Sequence, residues 1–218
     1  MTQLFIPLVV LLALLSAIAP ILIVGAPYES TMGLVQKIFY YHFPSWMAMF
    51  SAVFVAGGAS VVFLATGRKR ADAVAVAAAE LVVVFGLIGL LTGPLWGIKA
   101  WGIWWAWDPR GTSALVLWLV FQSYLLLRRF GGPGSERLAA AVALFGMCNV
   151  PFVYWSVNLW RTLHPKTTVV SSLPVSMGLP LWLSTFAFLG LFVVLMALRT
   201  RLENSRAQLD ALYLALED

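Results

Sequence analysis

The sequence predicts an all-α integral membrane protein of six transmembrane helices, with both termini in the cytoplasm. The first reason is composition: of 218 residues, 61% are hydrophobic and only 11% charged, with a mean hydropathy of +0.91, whereas a soluble domain carries roughly 25% charged residues. The second is arrangement. The apolar residues gather into six runs, each near the roughly 20 residues that a helix needs to cross a bilayer. The third is the placement of Lys and Arg, which sets the direction of the helices.

The runs are 4–25, 46–66, 73–95, 112–127, 138–155 and 181–198. The first has no Lys or Arg before Lys37, and its apolar stretch exceeds the roughly 7–15 residues of a signal-peptide core, so it is expected to be a retained span. Glu80 lies in the third run, where an ionisable group is either functional or tied to a partner; a structural contact is the favoured reading. In the fifth, Asn149 and Pro151 predict interhelical bonding and a kink, and Cys148, the single cysteine, predicts a small packed residue. Residues 1–200 therefore form a membrane domain. Residues 201–218 form a tail whose Leu202, Leu209, Leu212, Tyr213 and Leu216 share a helical stripe suited to a partner or a membrane surface.

Nine basic residues, from Arg68 to Arg206, fall in one set of loops and the tail, against five (Lys37, Lys99, Arg110, Arg161, Lys166) in the other. Short loops rich in Lys and Arg stay in the cytoplasm. The net charge of +5 is then mostly an orientation signal and implies no nucleic-acid partner. Segments 26–45, 93–111 and 156–180 are placed outside, and nearly all the unusual chemistry lies there.

Segment 93–111 lies within "LTGPLWGIKAWGIWWAWDPRGT", which holds five of the ten tryptophans: Trp96, Trp101, Trp104, Trp105 and Trp107. Interfacial anchoring explains two or three; five within twelve residues indicate a flat surface for an apolar ligand or partner. Trp101, Trp104, Trp105 and Asp108 are spaced i, i+3, i+4, i+7, which predicts a short amphipathic helix on the outer face between the third and fourth spans. Gly93, Pro94 and Gly97 are expected to break it from the third span. Asp108 before Pro109 fits an N-cap with proline at the first helical position, a role compatible with a ligand contact. Arg110 suits an anionic group through its planar donor fork, or else flanks the membrane or pairs with Asp108.

The two histidines, His42 in "KIFYYHFPSW" and His164 in "NLWRTLHPKTT", fall on the same outer side. Pro44 and Pro165 beside them predict that both sit where regular helix ends, exposed to the outer surface. Two unrelated interfacial histidines would satisfy the spacing. The pair bracketing an indole-rich segment also matches two axial ligands to iron in a flat apolar macrocycle, with Arg or Lys for propionates. Zinc would require further ligands, and that face has no cysteine.

With these residues in view, "WGIWWAWDPRGT" and the upstream "LTGPLWG" resemble the WWD signature of the haem-handling membrane proteins of cytochrome c maturation. Within that superfamily the chain most resembles the CcmC family, since "YYHFPS" and "SVNLWRTLHPKTT" occur in the same order around the motif. The resemblance implies that His42 and His164 are axial ligands to haem b and that Trp101, Trp104, Trp105, Trp107 and Asp108 form a platform, with Trp96 and Arg110 completing the candidate set. It implies a haem-handling subunit of an ABC transporter complex in the bacterial cytoplasmic membrane, with a periplasmic site and no enzymatic role of its own. The implied partners are the haem chaperone CcmE, the ATPase CcmA, and CcmB and CcmD; this chain has no Walker motif, in keeping with a separate ATPase. Two positions depart from the family pattern: Gly111 stands where Leu is usual and Pro109 where Ala is frequent.

Two rival readings make different demands. A haem lyase of the same superfamily is generally larger, with extra spans and histidines. A solute permease requires polar groups lining the spans, and these spans are nearly bare of charge.

Overall fold

A computed structural model describes residues 2–217 of the chain, and Met1 and Asp218 fall outside the described residues. Six helices follow in order: α1 (Thr2–Gly25), α2 (Phe39–Thr66), α3 (Lys69–Trp101), α4 (Pro109–Phe130), α5 (Ser135–Leu159) and α6 (Val175–Glu217), with short 3-10 turns at Leu34–Ile38 and Thr167–Ser172. Each helix contains a window long and apolar enough to cross a bilayer. This is a multi-pass membrane protein.

The helices α2 and α3 form the centre because their facing residues are small. Ala48, Ala52, Ala56 and Ser60 recur every fourth residue of α2 and are fully buried, and α3 answers with Ala75, Ala78 and Ala79. In lipid, where no hydrophobic difference separates protein from solvent, such stripes let backbones approach and dispersion hold them. α6 packs on one side of this pair with α1 outside it, and α5 and α4 lie on the other. Met49, Val53, Val82, Phe85, Leu117, Phe121 and Tyr124 fill the space between them.

The two ends of the bundle differ. At one end the connections are tight: Gly67, at φ 68°, turns α2 into α3, and Gly132 and Gly134, at φ 71° and 85°, turn α4 into α5. Here Arg128 of α4 bonds Asp72 of α3 at 2.8 Å, and both oxygens of Glu80 are held by Arg199 of α6. Glu80 is therefore a structural contact; nearer the other end, Asn149 donates to the Ser113 carbonyl of α4 at 3.3 Å as an interhelical bond. α6 leaves the tightly connected end as one uninterrupted helix that carries the exposed Leu202, Leu209, Leu212, Tyr213 and Leu216. Cys148, expected to be packed, is instead exposed on α5, because its side of the helix faces away from the neighbouring helices.

The other end carries segments 26–38, 102–108 and 160–174, and here the structure departs from the expected Trp-rich helix. α3 runs through Gly93, Pro94 and Gly97 without a break and stops at Trp101, where Gly102 takes the left-handed conformation (φ 75°) and its N–H bonds the Ile98 carbonyl at 3.0 Å. Residues 105–108 are irregular. The i, i+3, i+4, i+7 spacing from Trp101 to Asp108 thus straddles a helix stop and defines no common face. A proline inside a membrane helix is tolerated because neighbours satisfy the freed carbonyl, and the glycines serve packing.

Candidate functional site

Local chemistry places each histidine. His42 lies in the first turns of α2 and is half-buried, not at a helix end facing outward. Pro44 does not stop this helix because the carbonyl it leaves without a donor, that of Tyr40, accepts the Ser184 hydroxyl of α6 at 2.5 Å. The Thr92 hydroxyl gives its proton to the Ile88 carbonyl at 2.7 Å, so toward His42 Nδ1, 3.0 Å away, it accepts. The imidazole proton is then on Nδ1. The lone pair on Nε2 accepts from the Trp46 indole N–H at 3.2 Å, four residues along the same helix.

His164 lies in the irregular segment after α5, half-buried, and its Nδ1 is 2.6 Å from Asp108 Oδ2. Asp108 is the N-cap of α4, with Oδ1 accepting the Gly111 N–H at 2.9 Å and Pro109 at the first helical position. The Thr162 hydroxyl also donates to Asp108 Oδ2 and accepts the His164 backbone N–H at 3.1 Å. Burial pushes the Asp108 carboxyl up, but the hydrogen bonds from Thr162, His164 and Gly111 outweigh it and hold it below the usual carboxylate range. Burial lowers the His164 pKa, opposed only in part by Asp108. The result is a neutral imidazole with its proton directed at a carboxylate and its Nε2 lone pair without a hydrogen-bond partner among the described residues.

The face of α3 between the two histidines is built from glycines at every fourth position. A Cβ at Gly89 would sit 2.5 Å from the Trp46 ring, at Gly93 3.2 Å from His42 Cε1, and at Gly97 3.1 Å from the Trp101 ring. Trp101, four residues further on, folds back over Gly97 and meets the His164 ring at 4.9 Å. Trp96 packs edge-on to Trp101 at 5.5 Å and donates its N–H to Gln36 at 3.2 Å. Arg110, half-buried at the start of α4, makes no ion pair among the described residues. Asp108 is thus the partner of His164, not of Arg110.

The family model described as heme exporter protein C matches residues 1–214. The chain belongs to the heme exporter protein C family. It is similar to the heme exporter protein C of Bradyrhizobium diazoefficiens, 38% identical over 197 residues that cover 86% of this chain and 73% of that protein. It is 35% identical to the heme exporter protein C of Escherichia coli K12 over 186 residues, 81% of this chain and 73% of that one. A ccmC-like mitochondrial protein of Arabidopsis thaliana, named for cytochrome c biosynthesis, is 34% identical over 195 residues, 86% of this chain and 73% of the relative.

In this family member the tryptophans divide into two groups instead of forming one shelf. Trp101 turns inward against His164 and carries Trp96 packed on it, whereas Trp104 and Trp107 are 58% and 77% exposed. Trp105 packs edge-on to Trp107 at 5.9 Å, and its buried N–H has no partner among the described residues. Trp105 and Trp107, but not Trp104, border an open cleft of about 550 Å³ that Ile103, Ala106, Asp108 and residues 161–163 complete and that neither histidine lines. Sequence reasoning missed Trp46, Thr92 and Thr162, and took Gly93 and Gly97 for helix breakers. The signals were present as His and Trp four apart in "HFPSW", and glycines at intervals of four up to Trp101.

Proposed function

We propose that the chain holds haem b at the loop-rich end of the bundle, with His42 and His164 as axial ligands, and passes it to the haem chaperone CcmE for c-type cytochrome biogenesis. The observation that carries this reading is the matched state of the two imidazoles. Each has Nδ1 at hydrogen-bond distance from an oxygen, an arrangement that favours the proton on Nδ1 and the lone pair on Nε2, the form that binds iron. Trp101 supplies apolar ring surface beside His164 with Trp96 packed on it, and Arg110, two residues after Asp108, suits a propionate carboxylate. The exposed Trp104 and Trp107, with Trp105 packed against Trp107, are assigned to the meeting between haem and its acceptor.

On this reading the site faces the periplasm, because the opposite end carries most of the Lys and Arg and is retained in the cytoplasm. CcmA, CcmB and CcmD complete the complex, and the chain itself transports and presents haem without a catalytic residue. A haem lyase would join haem to apocytochrome directly. A solute permease would leave charges free to line a path, whereas Asp72 and Glu80 are engaged by Arg128 and Arg199.

The test is spectroscopy of the purified protein followed by co-purification with the chaperone. A b-type spectrum is expected, with altered axial ligation in both His42→Ala and His164→Ala, and covalent haem is expected on the chaperone. Unchanged ligation in both variants overturns the ligand assignment; haem joined to apocytochrome without the chaperone favours the lyase.

A further inference from the structure

The two histidines agree in tautomer and differ in what surrounds them. The Nδ1–H of His164 points at a carboxylate, a charge-assisted bond that is shorter and stronger than a neutral one and that raises the basicity of the remaining nitrogen. That carboxylate is itself fixed, since Asp108 caps α4 and accepts from Gly111 and Thr162. The Nε2 of His164 has no competing donor among the described residues. His42 differs on each count. Its Nδ1–H meets a neutral hydroxyl, and its Nε2 lone pair is already taken by the indole N–H of Trp46.

Iron and Trp46 therefore compete for one lone pair. Resting on the haem reading above, we infer that His164 is the lasting ligand and His42 the exchangeable one, with Trp46 as the positioning residue that receives the His42 lone pair whenever iron leaves it. Trp46 suits this role by its seat. Its ring lies over Gly89, where no side chain intrudes, and beside Phe50 at 6.0 Å, so the indole is held in place from one side and its N–H stays within reach of His42 one helical turn away. A released His42 is then never a bare acceptor, and haem departs without leaving an unpaired group behind. His164, which has no such substitute, keeps the haem in register until transfer is complete.

The experiment uses the full chain in detergent, loaded with haem, and compares wild type with Trp46→Phe, which keeps a ring over Gly89 and removes the N–H. Haem loss to apomyoglobin is expected to slow roughly three- to tenfold, the value of one neutral hydrogen bond, with the two-histidine spectrum retained. In the haem-free protein, His42 is expected to react faster with diethyl pyrocarbonate while His164 is unchanged. Trp46→Leu is expected to give the same signs and guards against a folding defect peculiar to one variant. Faster haem loss in both variants means that Trp46 merely supports packing and overturns the inference, as does unchanged loss with unchanged His42 reactivity. The haem reading fails separately, if wild type itself shows no histidine ligation.

Discussion

His164 and its neighbours show how much chemistry one side-chain oxygen directs. Asp108→Asn keeps a good N-cap for α4 but replaces an acceptor with an amide able to donate toward Nδ1, which favours the tautomer with its proton on Nε2. The expected outcome is a small change in thermal unfolding with roughly 10- to 100-fold weaker haem binding, the usual effect of losing such a supporting partner, checked by haem titration and resonance Raman. Gly97 acts by absence. An alanine there would bring Cβ to 3.1 Å from the Trp101 ring, so Gly97→Ala is expected to push that ring off its seat and off His164. Intrinsic tryptophan fluorescence together with haem titration checks this, and a variant with both unchanged would show that the ring has room to yield.

Among the elements, α3 matters most, because it is the helix on which both histidines rest. Its 33 residues rise about 50 Å, well beyond a hydrocarbon core of about 30 Å, so its last turns carry Trp96 and Trp101 out of the apolar layer. The stop at Gly102 requires φ 75°, which a side chain resists by about 1–2 kcal/mol. Gly102→Ala is therefore expected to fray the last turn and loosen Trp101 and segment 102–108, seen as faster amide exchange confined to residues near 98–108. The six spans were legible because a run of apolar residues needs no neighbours to be recognised. The end of α3 was not. Gly and Pro carry two opposite meanings, a break in an isolated helix and a close-packing seat in a bundle, and the choice rests on what lies opposite.

At the scale of the whole bundle, the end away from the histidines is tied together by Asp72 with Arg128 and Glu80 with Arg199, which join α3 to α4 and α6. The first pair is largely buried, so removing one partner strands the other. Arg128→Met is expected to destabilise the protein by about 3 kcal/mol in unfolding from detergent, with much of that recovered in the double variant Asp72→Asn, Arg128→Met. The folded fraction is expected to bind haem as wild type does, because the pair lies at the opposite end of the molecule. Topology has its own check: cysteine labelling at engineered positions near 68 and 133 is expected from the cytoplasmic side only, and near 30, 104 and 163 from the other.

Hydropathy and charge alone sufficed for six membrane helices and for the end on which the unusual residues gather, and local clustering and motif likeness singled out His42, His164, Asp108 and the tryptophans as candidates. These follow from sums over local sequence, which need no knowledge of neighbours. What each histidine nitrogen meets, which tryptophans face inward, and that Asp108 serves His164 required the packed bundle. His42 meets Thr92 across 50 residues and His164 meets Asp108 across 56. Helical periodicity orders residues only while one helix continues, and contacts between helices depend on how closely small residues such as Gly89 and Gly93 let them approach.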